Sequence, residues 1–167
     1  PEMAFYDLEA DMTLAEENLK YLLRALFDTC GEELEFFNKF VDQGLIGRLR
    51  HTLESTFQRV TYTDAVDLLL KSGRTFEFPV AWGQNLQSEH ERFLAEEHFK
   101  RPVTVFNYPR GLKPFYMRQN DDGRTVAAMD VLVPGIGEII GGSQREERLD
   151  RLETAMTAQG LNGESYR

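Results

Sequence analysis

The run Thr125-Val-Ala-Ala-Met-Asp-Val-Leu-Val-Pro-Gly-Ile-Gly-Glu-Ile-Ile-Gly-Gly142 decides the fold class. Thr125 to Leu132 has the composition of a strand, Pro134-Gly-Ile-Gly137 is a turn, and Glu138 to Gly142 is a strand leading back. Upstream, Pro114 to Arg118 is predicted as a strand joined to Thr125 across Asn120-Asp-Asp-Gly123, whose Asp-Gly is a hairpin signal. Pro102 to Phe106 precedes it as a buried strand, with Asn107 to Gly111 as a loop. Strands in succession joined by tight turns favour an antiparallel sheet over βαβ units.

Helical patterns surround these strands. Residues 2–8 read as the end of a strand. Thr13-Leu-Ala-Glu16 is a capping box, and Leu19, Leu22, Leu23, Leu26, Phe27 and Cys30 continue at helical spacing, predicting a helix over 14–30. Further helices are predicted over 32–42 and 45–54, and Thr63 opens a short one after strand-like Phe57 to Tyr62. In the Gly- and Pro-rich stretch 73–87, Phe76 to Phe78 reads as a brief strand. Ser88 to Glu91 is a second capping box, starting a helix to about Lys100. Arg145 to Gln159 closes as a charged helix, Gly160 stops it, and Asn162-Gly163 is a last turn signal. The architecture is α+β, an antiparallel sheet flanked by helices, in one domain of 167 residues.

Bulk properties narrow the function. A net charge of −9 argues against a broadly basic nucleic-acid face. One cysteine, Cys30, excludes an internal disulfide, and three histidines leave no zinc-finger pattern. No apolar run approaches the roughly 20 residues that span a bilayer, and no signal-peptide pattern opens the chain, so a cytoplasmic setting fits. Position 1 is Pro, so residue 1 is expected not to be the natural start of a gene product.

Chemistry concentrates in Glu138 to Glu147. Glu138 stands among Ile136, Ile139 and Ile140, where a strand carboxylate is a surface residue, a salt-bridge member or a functional group. By strand alternation Glu138, Ile140 and Gly142 share one face, and Ile139, Gly141 and Ser143 the other. The Gly141-Gly142 pair tilts the reading towards a site, because Gly in a strand marks close approach by a ligand or another backbone. A carboxylate there can hold Mg²⁺ together with phosphate oxygens, and Arg145 can grip a carboxylate or amide oxygen with its planar fork. Ser143-Gln-Arg-Glu146 is also a capping-box match, so Ser143 is read both as ligand and as helix start.

Other motifs have plainer readings. Gly135-Ile-Gly137 fails as a dinucleotide fingerprint, since position 140 is Ile and its flanks form a hairpin. Solvated or capping roles are expected for His51 and His98, and His90 is a candidate for a pocket mouth. Glu89, Glu91, Glu96 and Glu97, and again Glu146, Glu147, Asp150 and Glu153, read as solvated helix faces.

Six stretches, in order, carry a resemblance: Pro1 to Phe5, Leu86 to Arg92, Val105 to Pro109, Lys113 to Arg118, Met129 to Gly135 and Glu138 to Asp150. Together they resemble the class II aminoacyl-tRNA synthetases, and among these the asparaginyl-tRNA synthetases. The resemblance implies a partial catalytic domain over residues 1–167 and, for the full-length protein, ATP- and Mg²⁺-dependent activation of asparagine followed by transfer to tRNA(Asn). It implies a homodimer at full length, without a membrane. By the same resemblance Glu138 binds Mg²⁺ and ATP, Gly142 and Ser143 adjoin ATP, and Gly141 adjoins the metal and asparagine. Arg145 and Tyr116 line the amino-acid pocket.

Gly141 and Ser143 favour asparagine over the aspartyl relatives, which tend to carry Ser and Ala there. The chain looks like the part of such an enzyme after its second motif and before its third, so the 167 residues alone are expected not to charge tRNA. Two alternatives stay open: a non-catalytic synthetase-like binding module, and an aspartyl-type synthetase of relaxed specificity. Flanking catalytic motifs in the full-length gene would separate the first from an enzyme, and comparing activation of the two amino acids would separate the second.

Overall fold

A computed structural model describes residues 1–161, so the turn expected at Asn162-Gly163 lies outside the described residues. The elements in order are α1 (Leu8–Thr29), α2 (Gly31–Phe40), α3 (Leu45–Glu54), β1 (Gln58–Thr61) and α4 (Tyr62–Lys71). Next come α5 (Ser88–Arg92), which runs on as a π-turn over Phe93–His98, then β2 (Val103–Pro109), β3 (Thr125–Val133), β4 (Gly137–Ser143) and α6 (Leu149–Ala158).

The sheet order is β1-β2-β3-β4. The pairs β2–β3 and β3–β4 are antiparallel, as the tight turns predict. β1 runs parallel to β2, Gln58 opposite Val103 and Thr61 opposite Phe106, so the sheet is mixed. That pairing spans α4 and α5, and a crossover of this length leaves no turn motif to read.

Both faces of the sheet are covered. On one, Met12, Ala15, Leu19 and Leu23 of α1 pack with Phe57 against Met129, Val131 and Val133. On the other, Tyr62, Ala65, Val66 and Leu69 of α4, with Leu94 and Ala95, bury Val103, Val105, Val126, Ala128 and Leu132. All nine residues of β3 are buried, which is why its sequence is largely apolar rather than alternating, with Thr125 and Asp130 the polar exceptions.

Several local readings change. Residues 2–8 form no strand; Asp7 caps α1 by accepting from the Ala10 N–H at 2.9 Å, so the helix starts before Thr13, whose hydroxyl donates to the Glu9 carbonyl. Thr61, not Thr63, caps α4. Gln87, not Ser88, caps α5, with His90 returning the bond. Phe76 to Phe78 is not a strand, and Pro114 to Arg118 is reduced to one isolated bridge, Met117 to Arg145, with a second just beyond it, Gln119 to Val126. Arg145 to Arg148 is extended chain before α6, so Ser143 starts no helix.

Candidate functional site

The two strands of the opening run pair so that Asp130 faces Gly141 and Ala128 faces Ser143. Between Val131 and Leu132 the register slips: Val131 pairs with Ile140, Leu132 with Glu138, and Ile139 is the extra residue of a β-bulge. The bulge overturns the expected alternation, because it turns Glu138 to the face of Gly141 rather than that of Gly142. A Cβ on Gly141 would stand 3.3 Å from Glu138 Oε1 and 3.4 Å from Asp130 Oδ1. The missing side chain leaves a notch between two carboxylates.

Lys113 answers this charge, its Nζ donating to Asp130 Oδ2 at 2.8 Å while lying 4.1 Å from the Tyr108 ring centre. Burial raises the Tyr108 phenol, and Asp130, to which it hydrogen-bonds, raises it further. Burial, then the nearness of Asp130, holds the Glu138 carboxyl above its ordinary value. Glu91 is likewise raised by burial and, despite the Glu138 N–H it accepts, by the charges of Glu138 and Asp130. Carboxylates crowded this way gain from a cation among them.

Among the described residues no three His, Cys, Asp or Glu form a group able to hold a metal unaided. Glu138 and Asp130 supply two hard oxygen donors beside an open notch. That set fits Mg²⁺, which takes one or two carboxylates and completes its shell with water and substrate phosphates.

Arg145 lies past the other end of β4. Roughly 15 Å of strand separates Glu138 from Ser143 at the usual rise per residue. The Arg145 guanidinium sits 5.0 Å from the Tyr116 ring centre, donates to Ser143 Oγ at 2.5 Å and to Glu2 Oε1 at 3.0 Å. Three of the expected residues, Tyr116, Ser143 and Arg145, therefore meet. With Glu2, Phe5, Asp11 and Gly142, Ser143 and Arg145 line a groove of about 1080 Å³ between β4, the N-terminal segment and α1. Gly142 opens to the face of α1, where a Cβ would stand 2.7 Å from Asp11 Oδ2. Expected site residues thus occupy both faces of one strand.

Sequence reasoning missed Asp130, Glu91, Lys113 and Glu2. Asp130 carries a visible signal, a lone charge inside an apolar strand; the other three become neighbours only through the tertiary fold. The carboxylates read as solvated are largely tied down. Glu89 accepts the Glu77 and Phe78 N–H groups, Glu96 accepts that of Gly135, and Glu97 pairs with Arg74. Glu146 is buried, accepting from the Gln119 N–H at 2.9 Å and from Arg148 Nε at 2.8 Å. Burial pushes its carboxyl up, but these bonds outweigh that and bring it down to about 2. His90 lines no pocket mouth: it is buried, its Nδ1 accepting the Gln87 N–H and its Nε2 meeting the Phe78 carbonyl. His51 is exposed, in keeping with the solvated role expected, with its Nε2 2.8 Å from the Lys100 carbonyl.

The family model described as tRNA synthetases class II (D, K and N) matches residues 1–167. The chain belongs to that family. Over 166 residues it is 60% identical to the asparagine–tRNA ligase of Clostridium beijerinckii, covering 99% of this chain and 36% of that protein. A ligase of the same description from Alkaliphilus metalliredigens is 61% identical over the same shares. The chain thus spans about a third of the length of the curated relatives it matches. Its fold matches the asparaginyl-tRNA synthetase of Pyrococcus horikoshii complexed with asparaginyl-adenylate at a TM-score of 0.83 and 35% identity, over 98% of this chain and 36% of that one. An aspartyl-tRNA synthetase from Entamoeba histolytica shares the fold at a TM-score of 0.79 and 19% identity. The mixed sheet described above is therefore part of a class II synthetase catalytic fold. No helix among the described residues is long and apolar enough to cross a membrane.

Proposed function

We propose that the chain forms part of an asparaginyl-tRNA synthetase catalytic domain, acting in the full-length protein, as a homodimer, to activate asparagine with ATP and pass it to tRNA(Asn). The observation that carries the reading is the division of β4, with the Glu138–Asp130 carboxylates at one end and the Arg145–Glu2 pair at the other. A carboxamide is at once acceptor and donor. Arg145 offers N–H groups to its oxygen, and Glu2 offers a carboxylate to its NH₂. An aspartate side chain would meet Arg145 equally well but would set its charge against Glu2, which favours asparagine over the aspartyl alternative.

In the activating step an oxygen of the asparagine carboxylate bonds to the α-phosphorus of ATP and pyrophosphate leaves. Two anions must approach, so catalysis is largely positioning and charge neutralisation. Arg145, braced by Tyr116 and Ser143, fixes the side chain of the amino acid. Glu138 and Asp130 would hold Mg²⁺ at the notch over Gly141, with Ser143 continuing that floor beneath the nucleotide and Gly142 turned towards α1. Bound there, Mg²⁺ supplies positive charge to the phosphates. Lys113 holds the Asp130 carboxylate in place, its Nζ donating to both oxygens.

The test is ATP–pyrophosphate exchange by the full-length protein with asparagine or aspartate as the amino acid. Exchange that requires Mg²⁺ and prefers asparagine by a hundredfold or more, on the order expected when a polar site rejects the wrong group, supports the reading. Equal exchange with aspartate would establish an aspartyl-type enzyme of relaxed specificity, and no exchange with either a binding module.

A further inference from the structure

The helix formed by α5 and its π-turn reaches across to the turn between β3 and β4. Glu91 Oε2 accepts the N–H of Glu138 at 3.2 Å, and Glu96 Oε1 accepts the N–H of Gly135 at 2.9 Å. Arg92 Nε steadies Glu96 from the same helix at 3.1 Å. Gly137 lies between the two bonds with φ of 100°, and a Cβ on it would stand 2.7 Å from Glu91 Oε2. The carboxylate of Glu91 is therefore packed directly against the backbone that enters β4.

Helix geometry makes this clasp specific. In an uninterrupted α-helix, residues five apart are rotated by roughly 140°, so Glu91 and Glu96 would not address one turn. The π-turn over Phe93–His98 closes i to i+5 and draws such residues towards one side. Single π-turns are costly and concentrate at functional sites. Here the distortion supplies two acceptors to a turn whose glycine-rich backbone would otherwise direct Glu138 loosely.

We propose that Glu91 is a positioning residue for Glu138, fixing through its N–H the direction in which the Glu138 carboxylate projects over the notch at Gly141. The proposal rests on the reading that Glu138 and Asp130 hold the divalent cation. Glu91 acts as a hydrogen-bond acceptor and not as a ligand. Its negative charge is incidental to this role.

Two measurements on the full-length protein decide it, amide hydrogen exchange at residues 135–139 without metal, and Mn²⁺ binding followed by its paramagnetic resonance with a non-hydrolysable ATP analogue. Glu91→Ala is expected to speed exchange at Glu138 by up to about tenfold, the loss of one hydrogen bond. It should weaken Mn²⁺ half-saturation by about tenfold, as loss of an outer-shell partner does. Glu91→Gln keeps an acceptor oxygen and should stay within about twofold of the parent in both. Glu96→Ala should speed exchange at Gly135 and lower Tm, yet leave Mn²⁺ half-saturation within about twofold.

Unchanged exchange at Glu138 in Glu91→Ala overturns the proposal. So does a Glu91→Gln variant as weak as Glu91→Ala, since charge would then be the active property. If the parent protein binds no Mn²⁺ with the nucleotide analogue, the metal reading fails, and the positioning of the metal-binding carboxylate fails with it. Exchange would then report only a structural clasp.

Discussion

At the start of β4, Glu138 is held through its backbone by Glu91 and set beside Asp130 over a notch that Gly141 leaves open, whereas past its end Arg145 projects a side chain that is 54% exposed. Arg145 pairs with Glu2, itself 81% exposed, on the N-terminal segment. The difference is confined to side chains. The backbone at both ends is anchored, at one by Glu91 and Glu96, at the other by buried Glu146 immediately after Arg145. At the acidic end the buried Asp130 and the backbone that carries Glu138 are fixed before any ligand comes, while the basic end presents a paired, solvated cation that a ligand must recruit. Prearranged charge costs no reorganisation during reaction, and an exchangeable pair lends itself to choosing between similar side chains.

Removing the recruiting cation should have the largest consequence. In the full-length protein, Arg145→Ala is expected to lower kcat/KM for asparagine-dependent pyrophosphate exchange by about a thousandfold or more, with Tm unchanged because the side chain is solvated. An equal loss of stability would break the contrast drawn here. The neighbouring anchor should behave in the opposite way. Glu146→Ala should cost about 2 kcal/mol of stability in denaturant unfolding, the range for hydrogen bonds to a charged group.

Because the Glu146 pKa is brought down to about 2 in the folded protein, its contribution is complete above the ordinary carboxylate value of 4.5 and fades as pH falls towards 2. The stability difference between the parent and Glu146→Gln should therefore close over that interval. A difference that persisted at the acid end would place the stabilisation elsewhere.

At the acidic end, Gly137→Ala faces a positive φ and the Glu91 carboxylate together, and should cost about 1–2 kcal/mol with faster exchange at Glu138. Gly142→Ala should cost less, about 1 kcal/mol, since its φ is not positive and its Cβ would meet only the ends of two side chains, Met129 Cε and the Asp11 carboxylate. If the two glycine variants proved equally costly, the clasp by Glu91 would add nothing to backbone strain.

Much of this was legible where neighbours in sequence are neighbours in space. The helix over 45–54, the turn at 134–137 and the strands either side of it follow from periodicity and turn residues. What escaped depends on distant partners: the parallel pairing of β1, the cap by Asp7 in place of Thr13, and the π-turn inside a helix whose composition is ordinary. At the site, Glu138 and Arg145 stood out by chemistry, but the Ile139 bulge that turns Glu138 towards Gly141 has no marker in Glu-Ile-Ile-Gly. Glu91 and Glu146 look like members of a charged helix face until the fold supplies the N–H groups they accept.

Among the described residues no strand pairs with the outer side of β4, which lies at the margin of the sheet. Its sequence, Gly-Glu-Ile-Ile-Gly-Gly-Ser, contains neither Lys nor Pro, the residues that commonly guard such margins. The glycine pair that opens room for ligands also strips this margin of bulk, and of its peptide groups the Glu138 N–H is already taken by Glu91. Handled as a separate piece, the chain would owe its solubility largely to charge, with its −9 keeping copies apart at neutral pH and losing that repulsion as acid approaches its isoelectric point near 4.9.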